Sequence, residues 1–149
     1  IYKKIIKTLP TNTDSKTIAI LGLTFKPNTD DMRDSPSLDL IPKLIEEKCK
    51  LKVFDPEGME EAKKYFADIS NDIVYCNDAY ETTKDSDALV ILTEWNQFRA
   101  LDLEKVKNLL KNKIIIDLRN IYNPKELNEM GFKYYSIGRD NIDWQKALV

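Results

Sequence analysis

Residues 22–36 read Gly-Leu-Thr-Phe-Lys-Pro-Asn-Thr-Asp-Asp-Met-Arg-Asp-Ser-Pro, and this stretch decides the fold of the chain. An apolar run at 18–21 precedes it and an amphipathic stretch follows it. The order predicts a strand, a long loop and a helix, which is where α/β proteins place ligand sites. After Gly22 the next two glycines of a dinucleotide fingerprint are missing, and Phe25 and Lys26 fill the space. A cation on this loop favours an anionic ligand that side chains hold.

Strand-like apolar runs alternate with helical patterns along the rest of the chain. The predicted strands lie at 17–23, 51–54, 73–75, 88–93, 114–118 and 133–137, and the predicted helices at about 38–45, 58–67, 78–84, 103–111 and 124–130. This alternation predicts an α/β fold with a doubly wound, mostly parallel sheet of about six strands. Such a fold is Rossmann-like, although it lacks the NAD glycine fingerprint. The fourth run is apolar on both faces, as expected of a central parallel strand.

Several residues suit the predicted helix ends. Ser35 can cap the first helix after the loop, and Pro36 suits its first turn. Pro42 conflicts with a straight helix, so we expect a kink or a later start there. Asp102 is the expected cap of a later helix, and Gly131 is expected to close the last one.

Composition and charge narrow the possible functions. A chain of 149 residues is one domain of ordinary size. Its 23 basic and 25 acidic residues give a net charge of -2 without a basic stripe, so nucleic acid is not an expected partner. No apolar run approaches the roughly 18–20 residues of a membrane span, and we expect a cytoplasmic protein without a membrane partner. The absence of histidine excludes Ser-His and Cys-His nucleophile pairs.

Cys49 and Cys76 lack the spacing of metal ligands, and we expect them to be buried, reduced thiols. The chain begins with Ile1 rather than Met, so we expect it to be part of a longer protein. Residues 1–15 are expected to be the tail of an interdomain helix and a linker, since a polar run follows Pro10. Residues 16–149 are expected to form the ligand-binding domain.

Two cations are expected at one edge of the sheet. Lys26 lies just beyond the first strand, and Arg119 lies at the end of the fifth. The carboxyl ends of parallel strands share one edge, so these side chains form a plausible clamp for a diphosphate. Spacing alone leaves open the alternative that they are surface cations paired with Asp30, Asp31 or Asp117.

The loop and four further segments resemble the C-terminal domain of the UDP-glucose/GDP-mannose dehydrogenase family. These segments are Val-Phe-Asp-Pro at 53–56, Ile-Leu-Thr-Glu-Trp at 91–95, Ile-Asp-Leu-Arg-Asn-Ile-Tyr at 116–122 and Tyr-Ser-Ile-Gly-Arg at 135–139. The resemblance therefore extends from about Thr17 to Arg139. Within the family, the run Lys-Pro-Asn-Thr-Asp-Asp favours the members that act on UDP-glucose over those that act on GDP-mannose or a UDP-aminosugar.

The resemblance implies a UDP-sugar-binding domain of an NAD-dependent enzyme that oxidises UDP-glucose to UDP-glucuronate. In the family, the residues that match Phe25, Lys26 and Arg119 contact the UDP-sugar. The residue that matches Arg33 faces the NAD, which an N-terminal domain binds. The implied partners are UDP-glucose, the protein's own N-terminal domain and a second copy in a homodimer.

The resemblance also implies that no catalytic residue lies in this chain. The family's catalytic thiol belongs to a Gly-x-Cys-x-Pro-Lys motif, which the surroundings of Cys49 and Cys76 do not match. We therefore expect the isolated chain to be inactive. Two other functions stay open, namely a dehydrogenase for a UDP-aminosugar or GDP-mannose, and a non-catalytic α/β nucleotide-binding module.

Other candidate residues have structural alternatives. Arg33 could form a salt bridge with Asp30 or Asp34 instead of facing a cofactor. The three aspartates at 30, 31 and 34 lack the glycine turn of a calcium loop, so no metal site is expected. Asp55 is expected in a helix-starting Asp-Pro turn rather than on an NAD ribose. Trp95 is expected to be a packed aromatic side chain rather than part of the nucleotide pocket, and Asn28 to order the loop.

Overall fold

The computed structural model describes residues 2–9 and 16–137. These residues form one sheet of six parallel strands, each of which matches a strand predicted from the sequence. The strands are β1 Thr17–Leu21, β2 Lys50–Phe54, β3 Ile73–Tyr75, β4 Ala88–Ile91, β5 Ile114–Asp117 and β6 Lys133–Ser136. The predicted α/β fold with a parallel sheet is confirmed.

The strand order is β3-β2-β1-β4-β5-β6, so the direction of winding reverses between β1 and β4. Ile20 in the middle of β1 lies beside Val53 of β2 on one side and Val90 of β4 on the other. In open parallel sheets, a crevice for ligands forms beyond the carboxyl ends of the strands at this reversal. The predicted ligand loop leaves the sheet at that crevice.

Helices cover both faces of the sheet. They are α1 Tyr2–Thr8, α2 Ser37–Glu46, α3 Met59–Tyr65, α4 Ala79–Thr83, α5 Asn96–Arg99, α6 Leu103–Leu109 and α7 Pro124–Glu129, with a 3-10 segment at Ala67–Asp72. One buried cluster contains Ile5 of α1 and Ile41 of α2, and the other contains Phe98, Val106 and Leu127 of α5, α6 and α7. All four residues of β4 are buried, which confirms the predicted central strand.

The predicted helix ends are largely confirmed. The carboxylate of Asp102 accepts the N–H of Lys105 at 3.2 Å, and so caps α6. Gly131 follows α7 with φ +94°, a left-handed conformation that favours glycine at a helix end. The N-cap position of α2 is Pro36 rather than the predicted Ser35, although the hydroxyl of Ser35 accepts the N–H of Ser37 at 3.2 Å.

Of the two expectations for Pro42, a kink or a later start of the helix, the later start is wrong. Helix α2 begins at Ser37 and contains Pro42 in its interior. Proline lacks the N–H that would donate to the carbonyl four residues earlier, which weakens one turn. Burial of Leu40, Ile41 and Leu44 holds the helix on the sheet despite that loss.

Two short elements are absent from the prediction. Helix α5 has only four residues, and the 3-10 segment has six with non-helical dihedral angles at Ile69. Neither is long enough for its apolar residues to show a period.

Some predictions fall outside the described residues. These are the linker at 10–15 and the last two residues of the fifth matching segment, Gly138 and Arg139. Among the described helices, none is long and apolar enough to cross a membrane.

Cys49 and Cys76 are free and buried, which matches the predicted buried thiols. Burial raises the pKa of the Cys49 thiol to about 11, and burial also raises the pKa of Cys76. Both sulfurs are therefore protonated at neutral pH. Since the thiolate is the reactive form, both are poor nucleophiles in the folded chain.

Thermal melts of this chain with and without a reductant are expected to agree. The reason is that both thiols are free in the folded state, so no cross-link restricts the unfolded chain. Differential scanning calorimetry measures the two melting temperatures. As a control, titration of the thiols in denaturant counts the free cysteines. A clear drop in melting temperature on reduction would show that a disulfide exists.

Candidate functional site

The loop after β1 begins with close packing against the loop after β4. Gly22 has φ +94°, and a Cβ at this position would lie 2.5 Å from both Cβ and the backbone nitrogen of Thr93. Only glycine fits such an approach. The hydroxyl of Thr93 donates to the carbonyl of Thr24 at 2.8 Å. The two loops that flank the reversal of the sheet are therefore locked together.

The rest of this loop is closed by its own hydrogen bonds. The hydroxyls of Ser35 and Ser37 donate to the carbonyl of Leu23 at 2.6 and 2.7 Å. The N–H of Phe25 donates to the carbonyl of Asp31 at 2.8 Å, which closes residues 25–31 into a lobe. Asn28 has φ +63° within this lobe. A left-handed backbone is a conformation that asparagine tolerates, so Asn28 suits this position, while its ordering of the loop stays a prediction.

Phe25 and Lys26 lie on the exposed side of the lobe. Phe25 is 43% exposed, which is unusual for a large apolar residue, and Lys26 is exposed beside it. Within residues 2–9 and 16–137, the ammonium of Lys26 has no hydrogen bond or ion pair. The alternative that Lys26 pairs with an aspartate is therefore not found in this part of the chain.

Arg119 joins three loops at the carboxyl edge of the sheet. Its Nε donates to the carbonyl of Leu92 at 2.8 Å, and its Nη2 donates to the carbonyl of Phe25 at 3.2 Å. Its Nη1 lies 3.7 Å from Oε2 of Glu94, an ion pair longer than a hydrogen bond. Pairing of the guanidinium with Asp117 is wrong, because that carboxylate accepts the backbone N–H of Arg119 instead.

A cavity of about 360 Å³ adjoins the Arg119 side chain. Its lining includes Leu40, Leu92, Leu118 and Ile137, together with the charged residues Arg119, Lys43 and Asp39. Apolar walls with a few charged groups are typical of sites for small organic ligands. Since the cavity lies between α2 and the ends of β4 and β5, it occupies the crevice at the reversal of the sheet.

Arg33 lies at the far end of the loop and forms a two-pronged ion pair. Its Nε and Nη2 each donate to a carboxylate oxygen of Asp31 at 3.0 Å. These hydrogen bonds lower the pKa of Asp31 to about 2, so the pair is ionised throughout the neutral range. The predicted alternative partners Asp30 and Asp34 are wrong, because Asp31 takes that place. The Arg33 side chain is 81% exposed and remains accessible.

Asp55 behaves as the predicted turn residue and not as a ribose ligand. Its carboxylate accepts the N–H groups of Glu57 and Gly58 at 3.0 and 2.8 Å, and it accepts the N–H of Leu23 at 2.7 Å. Asp55 is 1% exposed. A buried carboxylate that backbone donors surround is not available to a ribose hydroxyl.

Trp95 is buried in the cluster that α5, α6 and α7 cover, which supports the predicted packed aromatic side chain. Among the residues that the structure describes, no group of three or more acidic, cysteine or histidine side chains could hold a metal ion.

Lys26 and Arg119 both follow strands at the carboxyl edge of the sheet, as the sequence predicts. The structure adds a contact between the Arg119 side chain and the backbone carbonyl of Phe25. Of the four predicted site residues, Arg119 lines the cavity, whereas Phe25, Lys26 and Arg33 do not. The contacts of Arg119 with Leu92 and Glu94 are not predictable from the sequence. These residues are far from Arg119 in sequence, and no local pattern marks a carbonyl as an arginine partner.

The doubly wound parallel sheet, with a largely apolar pocket beside Arg119 at its reversal, defines a Rossmann-like nucleotide-binding domain. A model of the UDP binding domain of the UDP-glucose/GDP-mannose dehydrogenase family matches residues 19–124. The chain belongs to this family.

Relatives with assigned activities agree with the family model. The chain is 49% identical over 122 residues to the UDP-glucose 6-dehydrogenase of Rhizobium meliloti (strain 1021), which covers 82% of this chain and 27% of that protein. It is 42% identical over 135 residues to the UDP-glucose 6-dehydrogenase of Rickettsia bellii (strain RML369-C), which covers 91% of this chain and 31% of that protein.

The fold also matches a solved structure of a UDP-glucose dehydrogenase from the hyperthermophilic archaeon Pyrobaculum islandicum. The TM-score is 0.66 at 26% sequence identity, over 91% of this chain and 28% of that one. The chain thus spans less than a third of the length of each of these relatives.

Proposed function

We propose that this chain is the C-terminal, UDP-sugar-binding domain of an NAD-dependent UDP-glucose 6-dehydrogenase, which converts UDP-glucose to UDP-glucuronate. The observation that carries the proposal is the guanidinium of Arg119, which two backbone carbonyls hold beside an apolar cavity at the reversal of the sheet. The 49% identity to a UDP-glucose 6-dehydrogenase supports UDP-glucose among the substrates of the family.

Arg119, Lys26 and Phe25 form the proposed contacts with the UDP-sugar. The carbonyls of Leu92 and Phe25 accept the N–H of Nε and one N–H of Nη2. The second N–H of Nη2 and the two N–H groups of Nη1, which lies 3.7 Å from Glu94, can donate to diphosphate oxygens. The ammonium of Lys26, which pairs with no side chain among residues 2–9 and 16–137, adds a second positive charge next to Phe25. The exposed ring of Phe25 offers an apolar surface to the base or the sugar.

The described residues do not themselves form a dinucleotide site, because the loop after β1 lacks the fingerprint glycines and Asp55 is saturated. We therefore assign the binding of NAD, which accepts hydride from the sugar, mainly to an N-terminal domain of the full-length protein. Arg33 would contact the cofactor from the opposite side. Asp31 holds two of its nitrogens and leaves Nη1 for that contact.

Residues 1–15 would form the end of an interdomain helix with its linker, and residues 16–149 the UDP-binding domain. The partners would be the protein's own N-terminal domain and a second copy in a homodimer. Free, buried cysteines are typical of reducing compartments, which supports a cytoplasmic location.

Substrate selection is tested with the full-length protein. Turnover of UDP-glucose, a UDP-aminosugar and GDP-mannose, each with NAD, is compared by NADH absorbance. We expect the highest kcat/KM with UDP-glucose. A preference for another nucleotide sugar would assign the chain to a sister enzyme of the family, and turnover of none would support a non-catalytic nucleotide-binding module.

The isolated chain is expected to form no NADH from UDP-glucose and NAD. It contains neither the thiol motif nor the dinucleotide fingerprint, and its two cysteines are buried and protonated. The measurement is NADH absorbance at high concentration of the chain, with the full-length protein as positive control. Turnover that disappears when Cys49 or Cys76 is replaced would contradict the domain assignment.

A further inference from the structure

Two buried carboxylates lie at the ends of strands on the ligand side of the sheet. Asp55 directly follows β2 and is 1% exposed, and Asp117 is the last residue of β5 and is 0% exposed. A buried carboxylate requires compensation by hydrogen bonds or charges. Among the described residues, the partners of both carboxylates are backbone N–H groups and one hydroxyl each, that of Thr24 for Asp55 and that of Tyr134 for Asp117, rather than cationic side chains.

The carboxylate of Asp55 ties the ligand loop to the turn after β2. Its Oδ2 accepts the N–H of Leu23 at 2.7 Å and the N–H of Thr24 at 3.1 Å. Its Oδ1 accepts the N–H groups of Glu57 and Gly58 at 3.0 and 2.8 Å. The two residues held by Oδ2 come directly before Phe25 and Lys26, so Asp55 fixes the start of the lobe that carries them.

The carboxylate of Asp117 does the same for the loop that carries Arg119. Its Oδ1 accepts the backbone N–H of Arg119 at 3.0 Å. Its Oδ2 accepts the N–H groups of Ile121 and Tyr122 at 2.8 and 3.1 Å, and the hydroxyl of Tyr134 at 2.6 Å. The chain thus turns around one carboxylate, and the backbone position of Arg119 is fixed independently of its side chain.

We propose that Asp55 and Asp117 are the positioning residues of the UDP site, each of which organises one half of the clamp. Asp55 sets the backbone before Phe25 and Lys26, and Asp117 sets the backbone of Arg119. The inference rests on the proposed function, because it concerns the same site.

The chemistry requires a carboxylate rather than an amide at both positions. An ionised carboxylate offers acceptors on both oxygens, whereas an asparagine offers one oxygen and one NH₂ group. Donors approach both oxygens of Asp55 and both oxygens of Asp117. An NH₂ group would therefore face an N–H group whichever way the side chain turned, and that part of the loop would have to move.

The matched control is a third buried aspartate at the opposite edge of the sheet. Asp87 precedes β4, is 5% exposed and accepts the N–H of Thr17 at 2.8 Å and the side-chain amide of Asn112 at 3.3 Å. Its replacement by asparagine perturbs a buried carboxylate in the same sheet without touching the ligand loops.

The test measures UDP affinity by calorimetry in the full-length protein. Asp117→Asn and Asp55→Asn should each raise the Kd for UDP about tenfold, since each displaces a charged ligand contact. Asp87→Asn should leave that Kd unchanged within about twofold, even if its melting temperature falls as far as those of the other two variants. Where Asp117→Asn does not fold, Tyr134→Phe removes one donor to the same carboxylate and should raise the Kd about two- to fivefold.

A double-mutant cycle distinguishes positioning from general destabilisation. If Asp117 acts through Arg119, Asp117→Asn should add less than about a twofold change in the Arg119→Ala background. The same factor in both backgrounds, or an equal loss of UDP affinity in Asp87→Asn, would overturn the inference. Loss of affinity in Arg119→Ala without any in Asp117→Asn, Asp55→Asn and Tyr134→Phe would overturn it and leave the proposed function standing. No loss in Arg119→Ala would overturn both.

Discussion

Replacement of Gly22 by alanine is expected to lower the free energy of unfolding by about 2–5 kcal/mol. The new Cβ would lie 2.5 Å from the backbone nitrogen and the Cβ of Thr93, and the backbone has φ +94°. Overpacking a tight contact costs about 1–3 kcal/mol, and a left-handed backbone costs a side chain about 1–2 kcal/mol more. For a domain of this size, the melting temperature should fall by roughly 4–20 °C.

Gly131 supplies the matched control for this prediction. It also has φ +94°, but the nearest atom to a new Cβ would be Nζ of Lys107 at 3.6 Å, an ordinary contact. Gly131→Ala should therefore show the backbone strain without the clash, and should destabilise by about 1–2 kcal/mol. Denaturant unfolding of both variants measures the difference. Equal losses would show that the packing of the two loops at Thr93 does not matter.

Arg119→Ala and Lys26→Ala are each expected to weaken UDP binding by about tenfold or more in the full-length protein. A hydrogen bond to a charged group contributes about 1.5–3 kcal/mol, and about 1.4 kcal/mol corresponds to a factor of ten. The effect of Arg119→Ala should be the larger of the two. Removing this side chain also releases the carbonyls of Leu92 and Phe25, and so loosens the lobe.

The affinity for NAD provides the internal comparison. Arg119→Ala and Lys26→Ala should leave it nearly unchanged, whereas Arg33→Ala should weaken NAD binding and leave UDP binding nearly unchanged. Lys133→Ala is the control for loss of a surface cation, because Lys133 begins β6 at the opposite edge of the sheet. If Arg119→Ala and Lys26→Ala both bind UDP as tightly as the parent, the proposed clamp is wrong and these two cations are ordinary surface charges.

The sequence predicts the centre of the sheet well because β1, β4 and β5 are short apolar runs buried between the two layers of helices. All four residues of β4 and of β5 are buried, so their runs are continuous and easily recognised. Helix α2 shows the limit of such reasoning. Pro42 is unfavourable locally, yet packing of Leu40 and Leu44 on the sheet decides where the helix lies.

The site is predictable in its position but not in its contacts. Strand ends place Lys26 and Arg119 at one edge, because the edge follows from the parallel sheet alone. The partner of Arg33 proved to be Asp31 rather than Asp30 or Asp34, since the turn of the loop decides which carboxylate faces the guanidinium. The carboxylate of Asp117 is also not a cation partner, because it accepts three backbone N–H groups and one hydroxyl.

A crystal structure of the full-length protein with UDP tests the central claim most directly. The measured quantity is the distance from the Arg119 guanidinium to the nearest diphosphate oxygen. The proposed site predicts a charge-assisted hydrogen bond of about 2.7–2.9 Å, with the ring of Phe25 and the ammonium of Lys26 beside the same ligand. A diphosphate bound away from the carboxyl edge of the sheet, with Arg119 still held only by Leu92, Phe25 and Glu94, would contradict it.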